Sequence, residues 1–191
     1  MTPRALEATP FPVEEARRTR LVVLDVDGVL TDAAVYLGRT EDGRAVELKR
    51  FDIQDGIGLK LVQQAGVPVA IVSGRFSEAT VMRARELGIE DCLQDTGAQK
   101  VQMMEALLAR HGVRWDEVCM LGDDIPDLAV LVKVGLPVAV ANAQPEVLEV
   151  ALWRTTALGG RGAVREFCRE FLRARGQWDQ AVRRYVEERG G

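Results

Sequence analysis

Aspartate residues that could bind a metal ion are concentrated in two segments of the 191-residue chain. The first segment holds Asp25 and Asp27, and the second holds Asp123, Asp124 and Asp127. Carboxylates packed together raise one another's pKa unless a cation lies among them, and a ligand set made only of oxygen favours a hard divalent ion. If the fold joins the two segments, they predict a Mg²⁺ site. Asp124 has a second possible role, since it could cap the helix that follows it.

A serine and a lysine complete a set of residues suited to phosphate ester hydrolysis. Asp25 and Asp27 are two residues apart, so an extended backbone points both side chains the same way. One carboxylate can then attack phosphorus, which divides hydrolysis into two steps through an acyl phosphate, while the other transfers protons. Mg²⁺ and Lys100 would neutralise charge on the transferred group, and Ser73 would donate a hydrogen bond to it.

Apolar runs and helical segments alternate along the chain and must position these residues. Five short runs are typical of strands buried on both faces of a sheet, at 21–26, 67–72, 90–93, 117–121 and 136–140. Helical segments are predicted between them, at 55–65, 77–87 and 99–111. The alternation predicts an α/β fold, a Rossmann-like three-layer parallel sheet with helices on both faces. Asp25, Ser73 and Asp123 then stand at the carboxyl ends of strands, where such sheets bind ligands.

A hairpin interrupts this alternation directly after the first strand. The runs 33–37 and 45–49 surround Asp42-Gly43, a pair that favours a tight turn between two strands. We therefore expect a small β-hairpin insert over residues 32–48. The predicted division is an N-terminal arm at 1–18, an α/β domain at 19–175 and a C-terminal helical tail at 176–191.

The composition narrows the class of protein. The net charge of −4, with 47% hydrophobic and 28% charged residues, is ordinary for a globular domain and argues against a nucleic-acid partner. No apolar run reaches the roughly 18 residues of a membrane span, and the first residues lack an apolar signal core, so no membrane partner is expected. Three widely separated cysteines fit free thiols in a cytoplasmic protein.

Four segments, taken together, resemble the motifs of the haloacid dehalogenase superfamily of phosphohydrolases: DVDGVLTD, VSGR, the position of Lys100, and GDDIPD. The hairpin, FDIQDGIG, ELGI and GGRGAVREFC make the resemblance narrower, to the 3-deoxy-D-manno-octulosonate 8-phosphate phosphatase-like family. The likeness covers about residues 21–172. It implies a Mg²⁺-dependent phosphomonoesterase that hydrolyses a small phosphorylated sugar acid through an aspartyl-phosphate.

The resemblance also implies roles for individual residues. Asp25 would be the nucleophile and a metal ligand, Asp27 the acid/base with its backbone carbonyl on the metal, and Asp123 the third ligand. Ser73 and Lys100 would hold the phosphoryl group, while Asp124 and Asp127 would support the ligands from behind. The implied substrate-binding residues are those of one loop, together with several basic residues and a glycine expected near the opening of the active site. They are Asp52, Ile53, Gln54, Asp55, Gly56, Lys60, Gly74, Arg75, Arg83 and Arg161.

Two departures from the family pattern leave the sugar acid open. Gln54 and Lys60 stand where Arg is familiar, and neutral Gln cannot replace the charged fork of Arg. The first expected substrate is 3-deoxy-D-manno-octulosonate 8-phosphate. The alternatives are an enzyme for a related nonulosonate 9-phosphate and a sugar phosphatase of low specificity. The resemblance further implies a homotetramer in which a neighbouring subunit, and often the C-terminal tail, closes the active site.

Three other functions share parts of this pattern. A two-component receiver domain also combines acidic residues with Lys, but it would place its second acidic position after the third strand. A catalytically silent oligomerisation module is disfavoured because Asp25, Asp27, Lys100 and Asp123 are all present. A phosphomutase stays open, although the small insert favours hydrolysis, since it would not exclude water as a helical cap does.

Overall fold

The computed structural model describes residues 10–97 and 99–190, with a parallel six-stranded sheet at the centre. In chain order the strands are β1 (Leu21–Leu24), β2 (Tyr36–Arg39), β3 (Ala45–Leu48), β4 (Val69–Ser73), β5 (Asp91–Gln94), β6 (Val118–Gly122), β7 (Leu136–Ala139) and β8 (Trp153–Arg154). The central sheet has the order β5-β4-β1-β6-β7-β8, and β2 pairs with β3 in a separate antiparallel hairpin. The predicted α/β fold with a hairpin insert is confirmed.

Eight α-helices surround the sheet within the described residues. They are α1 (Val13–Arg18), α2 (Ile53–Gln64), α3 (Glu78–Leu87), α4 (Lys100–His111), α5 (Ile125–Leu131), α6 (Pro145–Val150), α7 (Ala163–Ala174) and α8 (Trp178–Glu187). Residues 1–9 of the expected N-terminal arm lie outside the described part of the chain. None of the helices that the structure describes is long and apolar enough to cross a membrane.

The register of the central strands brings their carboxyl ends to one edge. Strands β1, β4, β6 and β7 are buried along their whole length, as their continuous apolar sequences predict. Leu24 pairs with Ile71 on one side and with Leu121 on the other. Because parallel strands in register end together, the residues that follow Leu24 and Leu121 meet Ser73 at the same edge.

Helix α7 closes one face of the sheet and packs mainly against α2. Its apolar face contributes Phe167, Phe171 and Leu172, all fully buried, and each such side chain contributes about 1.5–3 kcal/mol of transfer free energy. Gly58 allows the close approach, since a Cβ there would lie 3.1 Å from that of Cys168. The α2–α7 contact therefore holds the loop before α2 in place.

Two short elements were not predicted. Strand β8 has only two residues, too few for an alternating or continuous apolar pattern, and it forms only by pairing with β7. Helix α6 has six residues and begins at Pro145, which is favourable at the first position of a helix. Both lie on the β7 side of the sheet, away from the nucleophile candidate.

Candidate active site

Most of the chemistry-bearing residues surround one cavity at the carboxyl edge of the sheet. The cavity has a volume of about 190 Å³ and is lined by Asp25, Asp27, Ser73, Gly74, Arg75, Lys100, Asp123, Asp124, Pro126 and Asp127. All of these except Pro126 were candidates from the sequence. Four loops that are far apart in the chain thus meet as the strand order requires.

Three carboxylates converge in the cavity. Oxygen atoms of Asp25, Asp123 and Asp127 all lie within 4.8 Å of one another, and the three residues are buried. Oδ1 of Asp123 is buried and has no hydrogen-bond partner among the described residues. A buried oxygen without a partner is costly, and a hard cation would satisfy it. The donor set therefore fits Mg²⁺.

Burial and mutual repulsion raise the pKa of two of these carboxyls. Burial, together with the nearby charge of Asp127, raises the pKa of Asp25 to about 7. Burial and the charge of Asp25 raise the pKa of Asp123 to about 8. Such shifts show that the fold holds the carboxyls where negative charge is unfavourable, so that a divalent cation would stabilise their ionised forms.

Lys100 is the cation that the chain itself supplies to this cluster. Its Nζ donates to Oδ1 of Asp25 at 2.7 Å and to Oδ1 of Asp127 at 2.6 Å. Burial alone would lower its pKa, but the charges of Asp25 and Asp127 raise the pKa of Lys100 above its usual value. Lys100 therefore stays protonated, and its position allows it to neutralise a phosphoryl group beside Asp25.

The segment after β6 both caps a helix and faces the cavity. Asp124 accepts from the backbone N–H of Ile125 at 2.7 Å and forms a reciprocal capping arrangement with Asp127 at the start of α5. Asp127 also accepts from the backbone N–H of Asp123 at 3.0 Å. The capping role considered for Asp124 is therefore present, and Asp127 fixes the backbone that carries Asp123.

Gly28 is required by the geometry of the loop after β1. Its φ is +93°, and a Cβ at this position would lie 1.9 Å from Oδ2 of Asp123. The glycine thus lets the first acidic segment turn directly beneath the second. This close approach explains why glycine follows the two aspartates of DVDG.

A second glycine contact fixes the same loop from the other side. Gly159 lies so close that a Cβ on it would be 1.7 Å from the carbonyl oxygen of Gly28. Asn142 connects the two segments, since its amide donates to that oxygen at 2.9 Å and accepts from the N–H of Gly159 at 2.6 Å. Arg161, in the same glycine-rich loop, is exposed and lies 3.8 Å from Asp32. An anion-binding role for Arg161 stays a prediction.

Ser73 and Arg75 form the turn after β4. The hydroxyl of Ser73 donates to the carbonyl of Arg75 at 3.1 Å and accepts from its N–H at 3.2 Å. The Arg75 guanidinium forms a salt bridge with Glu47 and lies 4.0 Å from Asp27. The hairpin insert therefore contacts a residue that lines the cavity.

Lys49 is the residue of this site that our sequence reasoning missed. Its side chain is fully buried, and its Nζ lies 2.7 Å from Oδ1 of Asp27 and 3.0 Å from Oδ2. A signal was available, because Glu47 and Lys49 are two residues apart on the strand predicted over 45–49, and alternation points their side chains to the same face. Charges on the inner face of an insert beside an acidic site indicate a contact with that site.

The residues of the predicted substrate loop lie outside the 190 Å³ cavity and begin helix α2. The Asp52 side chain caps this helix by accepting from the N–H of Gln54 at 2.8 Å. Ile53 and Gln54 are exposed, whereas Asp55 is buried and accepts from the backbone N–H of Arg165 at 2.7 Å. Asp55 thus joins α2 to the first turn of α7. Its role in substrate binding stays a prediction.

Arg83 supports the same loop from α3. Its guanidinium donates to the carbonyl of Asp52 at 2.8 Å, pairs with Glu86 and lies over the Phe51 ring. Gly56 makes room for it, since a Cβ there would be 2.7 Å from the guanidinium. Arg83 also lines a second cavity of about 840 Å³ between the hairpin and α3. Lys60 lies farther along α2 and is half-buried.

The chain has the fold of a haloacid dehalogenase-like hydrolase, and the family model of that description matches residues 58–135. The 3-deoxy-D-manno-octulosonate 8-phosphate phosphatase of Salmonella typhimurium is 38% identical over 173 residues, which cover 91% of this chain and 89% of that protein. The chain therefore belongs to the family of 3-deoxy-D-manno-octulosonate 8-phosphate phosphatases.

Solved structures of relatives share the whole fold. The phosphatase from Moraxella catarrhalis, in complex with magnesium, phosphate and the KDO sugar acid, has a TM-score of 0.83 at 33% identity and covers 91% of this chain and 97% of its own. The cobalt-bound enzyme from Haemophilus influenzae has a TM-score of 0.77 at 32% identity, with 88% and 98% covered.

Proposed function

We propose that this protein is a Mg²⁺-dependent phosphatase that hydrolyses 3-deoxy-D-manno-octulosonate 8-phosphate to the free sugar acid and phosphate. The observation that carries the proposal is the convergence of Asp25, Asp27, Lys100 and Asp123 in one cavity. The Moraxella catarrhalis phosphatase, a member of the same family, binds magnesium, phosphate and the sugar acid KDO in its solved complex, which supports the proposal.

Asp25 acts as the nucleophile in this proposal. It follows β1 directly, and its backbone N–H donates to the carbonyl of Leu121 at 3.1 Å, so the rigid sheet fixes its position. A carboxylate oxygen forms a bond to phosphorus while the bond between phosphorus and the sugar oxygen breaks. Lys100, whose ammonium donates a hydrogen bond to Asp25, binds the phosphoryl oxygens, and the Ser73 hydroxyl donates a second hydrogen bond to them.

Asp27 moves the protons of both steps. Its side chain keeps 25% of its area exposed, on the side of the cavity, so it can reach a leaving oxygen or an incoming water. It gives a proton to the sugar oxygen as the ester bond breaks. It then takes a proton from the water that attacks the aspartyl-phosphate, which restores Asp25.

Asp25 and Asp123 would hold Mg²⁺ through their carboxylates, and Asp27 through its backbone carbonyl. The bound ion would supply charge neutralisation for the phosphoryl oxygens. Asp124 and Asp127 keep the second acidic segment in place through their contacts at the start of α5. The observation that most favours this assignment is the buried Oδ1 of Asp123, which has no hydrogen-bond partner among the described residues.

Basic side chains around the mouth would select a substrate with a carboxylate. Arg75 lines the cavity, and Arg83 lines the larger cavity between the hairpin and α3. Lys60, Arg161 and the loop from Asp52 to Gly56 are further candidates for contacts with the sugar acid. Gln54 lacks the charge of the Arg familiar at its position, so the sugar acid would be held by the remaining cations.

We further propose that the protein works as a cytoplasmic homotetramer, with the α/β domain at 19–175 carrying the site and residues 176–191 forming a helical tail. Three free cysteines support a reducing compartment. The hairpin presents exposed apolar side chains, Tyr36 at 59%, Leu37 at 77% and Leu48 at 61%, which would be covered by a second subunit. Light scattering should give the mass of a tetramer, and Leu37→Asp should lower it.

The test of the proposed activity is a phosphate-release assay with and without Mg²⁺. The substrates compared are octulosonate 8-phosphate, a nonulosonate 9-phosphate and simple sugar phosphates. Octulosonate 8-phosphate should have the highest kcat/KM, and Asp25→Asn should abolish release while Asp179→Asn, at an exposed position on α8, leaves it unchanged. A higher value for the nonulosonate would move the assignment to that substrate, and normal turnover by Asp25→Asn would refute the mechanism.

A further inference from the structure

Lys49 lies directly after β3 and forms a closer ion pair with the proposed acid/base than any other cation that the structure describes. The Lys49 ammonium lies within 3.0 Å of both oxygens of Asp27, at 2.7 Å and 3.0 Å. Arg75 is the next cation and lies 4.0 Å away. Asp27, in the loop after β1, is therefore held by the hairpin insert.

The burial of Lys49 shows that this contact is built into the fold. None of its side-chain area is exposed, and burying an ammonium is costly unless a well-placed anion compensates it. Asp27, in contrast, keeps a quarter of its side chain exposed towards the cavity. The pair thus has its cation inside the protein and its carboxylate at the place of reaction.

Glu47 holds Lys49 from the other side. Its carboxylate lies 3.9 Å from the Lys49 ammonium and also pairs with Arg75. The backbone of β3 is fixed by its pairing with β2, in which Leu48 lies opposite Tyr36. The hairpin therefore presents Lys49 from the end of a paired strand, and this support restricts rotation of the carboxylate that Lys49 contacts.

We propose that Lys49 is a positioning residue for proton transfer by Asp27. The inference rests on the proposed function, in which Asp27 protonates the leaving oxygen as the bond between phosphorus and that oxygen breaks and its electron pair passes to the oxygen. Lys49 donates a hydrogen bond to Oδ2 of the carboxyl group, forms an ion pair with Oδ1, and itself gains and loses no proton. It holds the group in the single orientation that reaches the leaving oxygen.

The dependence of the rate on the leaving group tests this inference. Aryl phosphates with electron-withdrawing groups, such as p-nitrophenyl phosphate, need no proton on the departing oxygen, whereas phenols of higher pKa do. Lys49→Met should lower kcat/KM about ten-fold more for the poorest leaving group than for p-nitrophenyl phosphate, a part of the 10²–10⁴ that acid catalysis usually contributes. Since the comparison is made within one preparation, it does not depend on the fraction that is folded.

Two further variants complete the experiment. Lys49→Arg keeps a cation in place and should recover most of the lost selectivity, and Lys133→Met, at an exposed lysine beside Trp115, should behave as the wild type. In an Asp27→Asn background, Lys49→Met should cause no further change in the leaving-group dependence, because the two residues act through one group.

The outcomes separate this inference from the proposed function. If Asp27→Asn leaves the leaving-group dependence as in the wild type, the acid/base assignment of Asp27 fails. If Asp27→Asn changes it and Lys49→Met does not, the positioning role of Lys49 alone is overturned. A double variant with the sum of the two single effects would also overturn it, because Lys49 would then act independently of Asp27.

Discussion

Lys100, the first residue of α4, places its Nζ 2.7 Å from Oδ1 of Asp25, the residue that follows β1. Both side chains are almost completely buried, with 4% and 9% of their area exposed. The same ammonium lies 2.6 Å from Asp127, so one cation connects the two acidic segments of the chain. Lys100 therefore balances charge from both acidic segments at once.

Replacing Lys100 by Met should lower both stability and activity. Two carboxylates would lose the cation they share, and removing one partner from a buried ion pair costs about 3–5 kcal/mol. The loss should be larger at pH 8 than at pH 5, because the carboxyls can protonate at the lower pH. Urea unfolding in the presence of a chelator measures it, and kcat should fall at least about 100-fold. The matched control is Lys133→Met, and an equal loss at both pH values would contradict the argument.

Stabilisation by Mg²⁺ should increase with pH. The folded chain without metal holds protons on Asp25 and Asp123, whose pKa values are raised to about 7 and about 8, while the unfolded chain releases them near pH 4. The native state thus binds more protons between about pH 4 and pH 8, so metal-free stability falls as pH rises through this window.

Because Mg²⁺ must displace those protons, it binds better where they are already released. The difference in Tm between saturating Mg²⁺ and chelator should therefore be larger at pH 8 than at pH 6. Asp123→Asn should reduce this difference strongly. A Tm difference that does not change with pH would show that the carboxyls are ionised without the metal.

Asp55→Asn tests the connection between α2 and α7. Burial raises the pKa of Asp55 to about 6, although the carboxylate accepts from the backbone of Arg165. The raised value means that this group makes wild-type stability fall as pH rises from about 4 to about 6. Asn can accept the same hydrogen bond without charge. The free energy of unfolding of the variant, relative to that of the wild type, should therefore rise by about 1–3 kcal/mol across this pH range.

Thermal unfolding of both proteins at pH 4.5 and pH 7.5 measures the difference. Asp179→Asn, at an exposed position in the first turn of α8, is the control and should show no such trend. If the stability of Asp55→Asn relative to the wild type is the same at both pH values, the carboxyl is not buried as the structure describes.

Gly159→Ala should displace the loop that carries the nucleophile. The added methyl group would lie 1.7 Å from the carbonyl oxygen of Gly28, and the backbone must move to accommodate it. Overpacking of this kind costs about 1–3 kcal/mol, so both Tm and kcat should fall. Gly38→Ala, in the hairpin, is the matched control, since no described atom lies within 4 Å of its added methyl group. A Gly159→Ala enzyme with normal kcat would show that the contact is not needed for activity.

Arg75→Ala should change substrate preference more than chemistry. Arg75 lines the cavity, but its guanidinium donates a hydrogen bond to Glu47 and none to the cluster of buried carboxylates. We expect KM for the phosphorylated sugar acid to rise more than KM for a small phosphate ester that has no carboxylate. Equal losses of kcat/KM on the two substrates would exclude a role in selecting the acid.

The sequence was sufficient for those parts of the fold that depend on burial and order. Runs such as Val67–Val72 are apolar throughout because β4 is covered on both faces, and this burial is what makes a parallel strand recognisable. Asp25, Ser73 and Asp123 were placed together because parallel strands end at one edge. The predicted hairpin was correct in type, but its first strand begins three residues later than expected, at Tyr36.

The contacts between distant segments could not be predicted in the same way. Asp55 belongs to a loop that suggested substrate binding, but its side chain turns towards Arg165, more than a hundred residues later. Lys49 meets Asp27 only because the hairpin folds back over the strand ends. Both contacts depend on tertiary packing, which the local periodicity of the sequence does not report.

The contacts of Asn142 and Gly159 with Gly28 determine when the site can form during synthesis. The nucleophile is made early, but its loop is supported by residues that leave the ribosome much later. The loop after β1 therefore gains this support only once the last third of the chain has been translated. A premature stop before residue 142 would yield a protein with every catalytic carboxylate present and with the loop of the first two lacking that support.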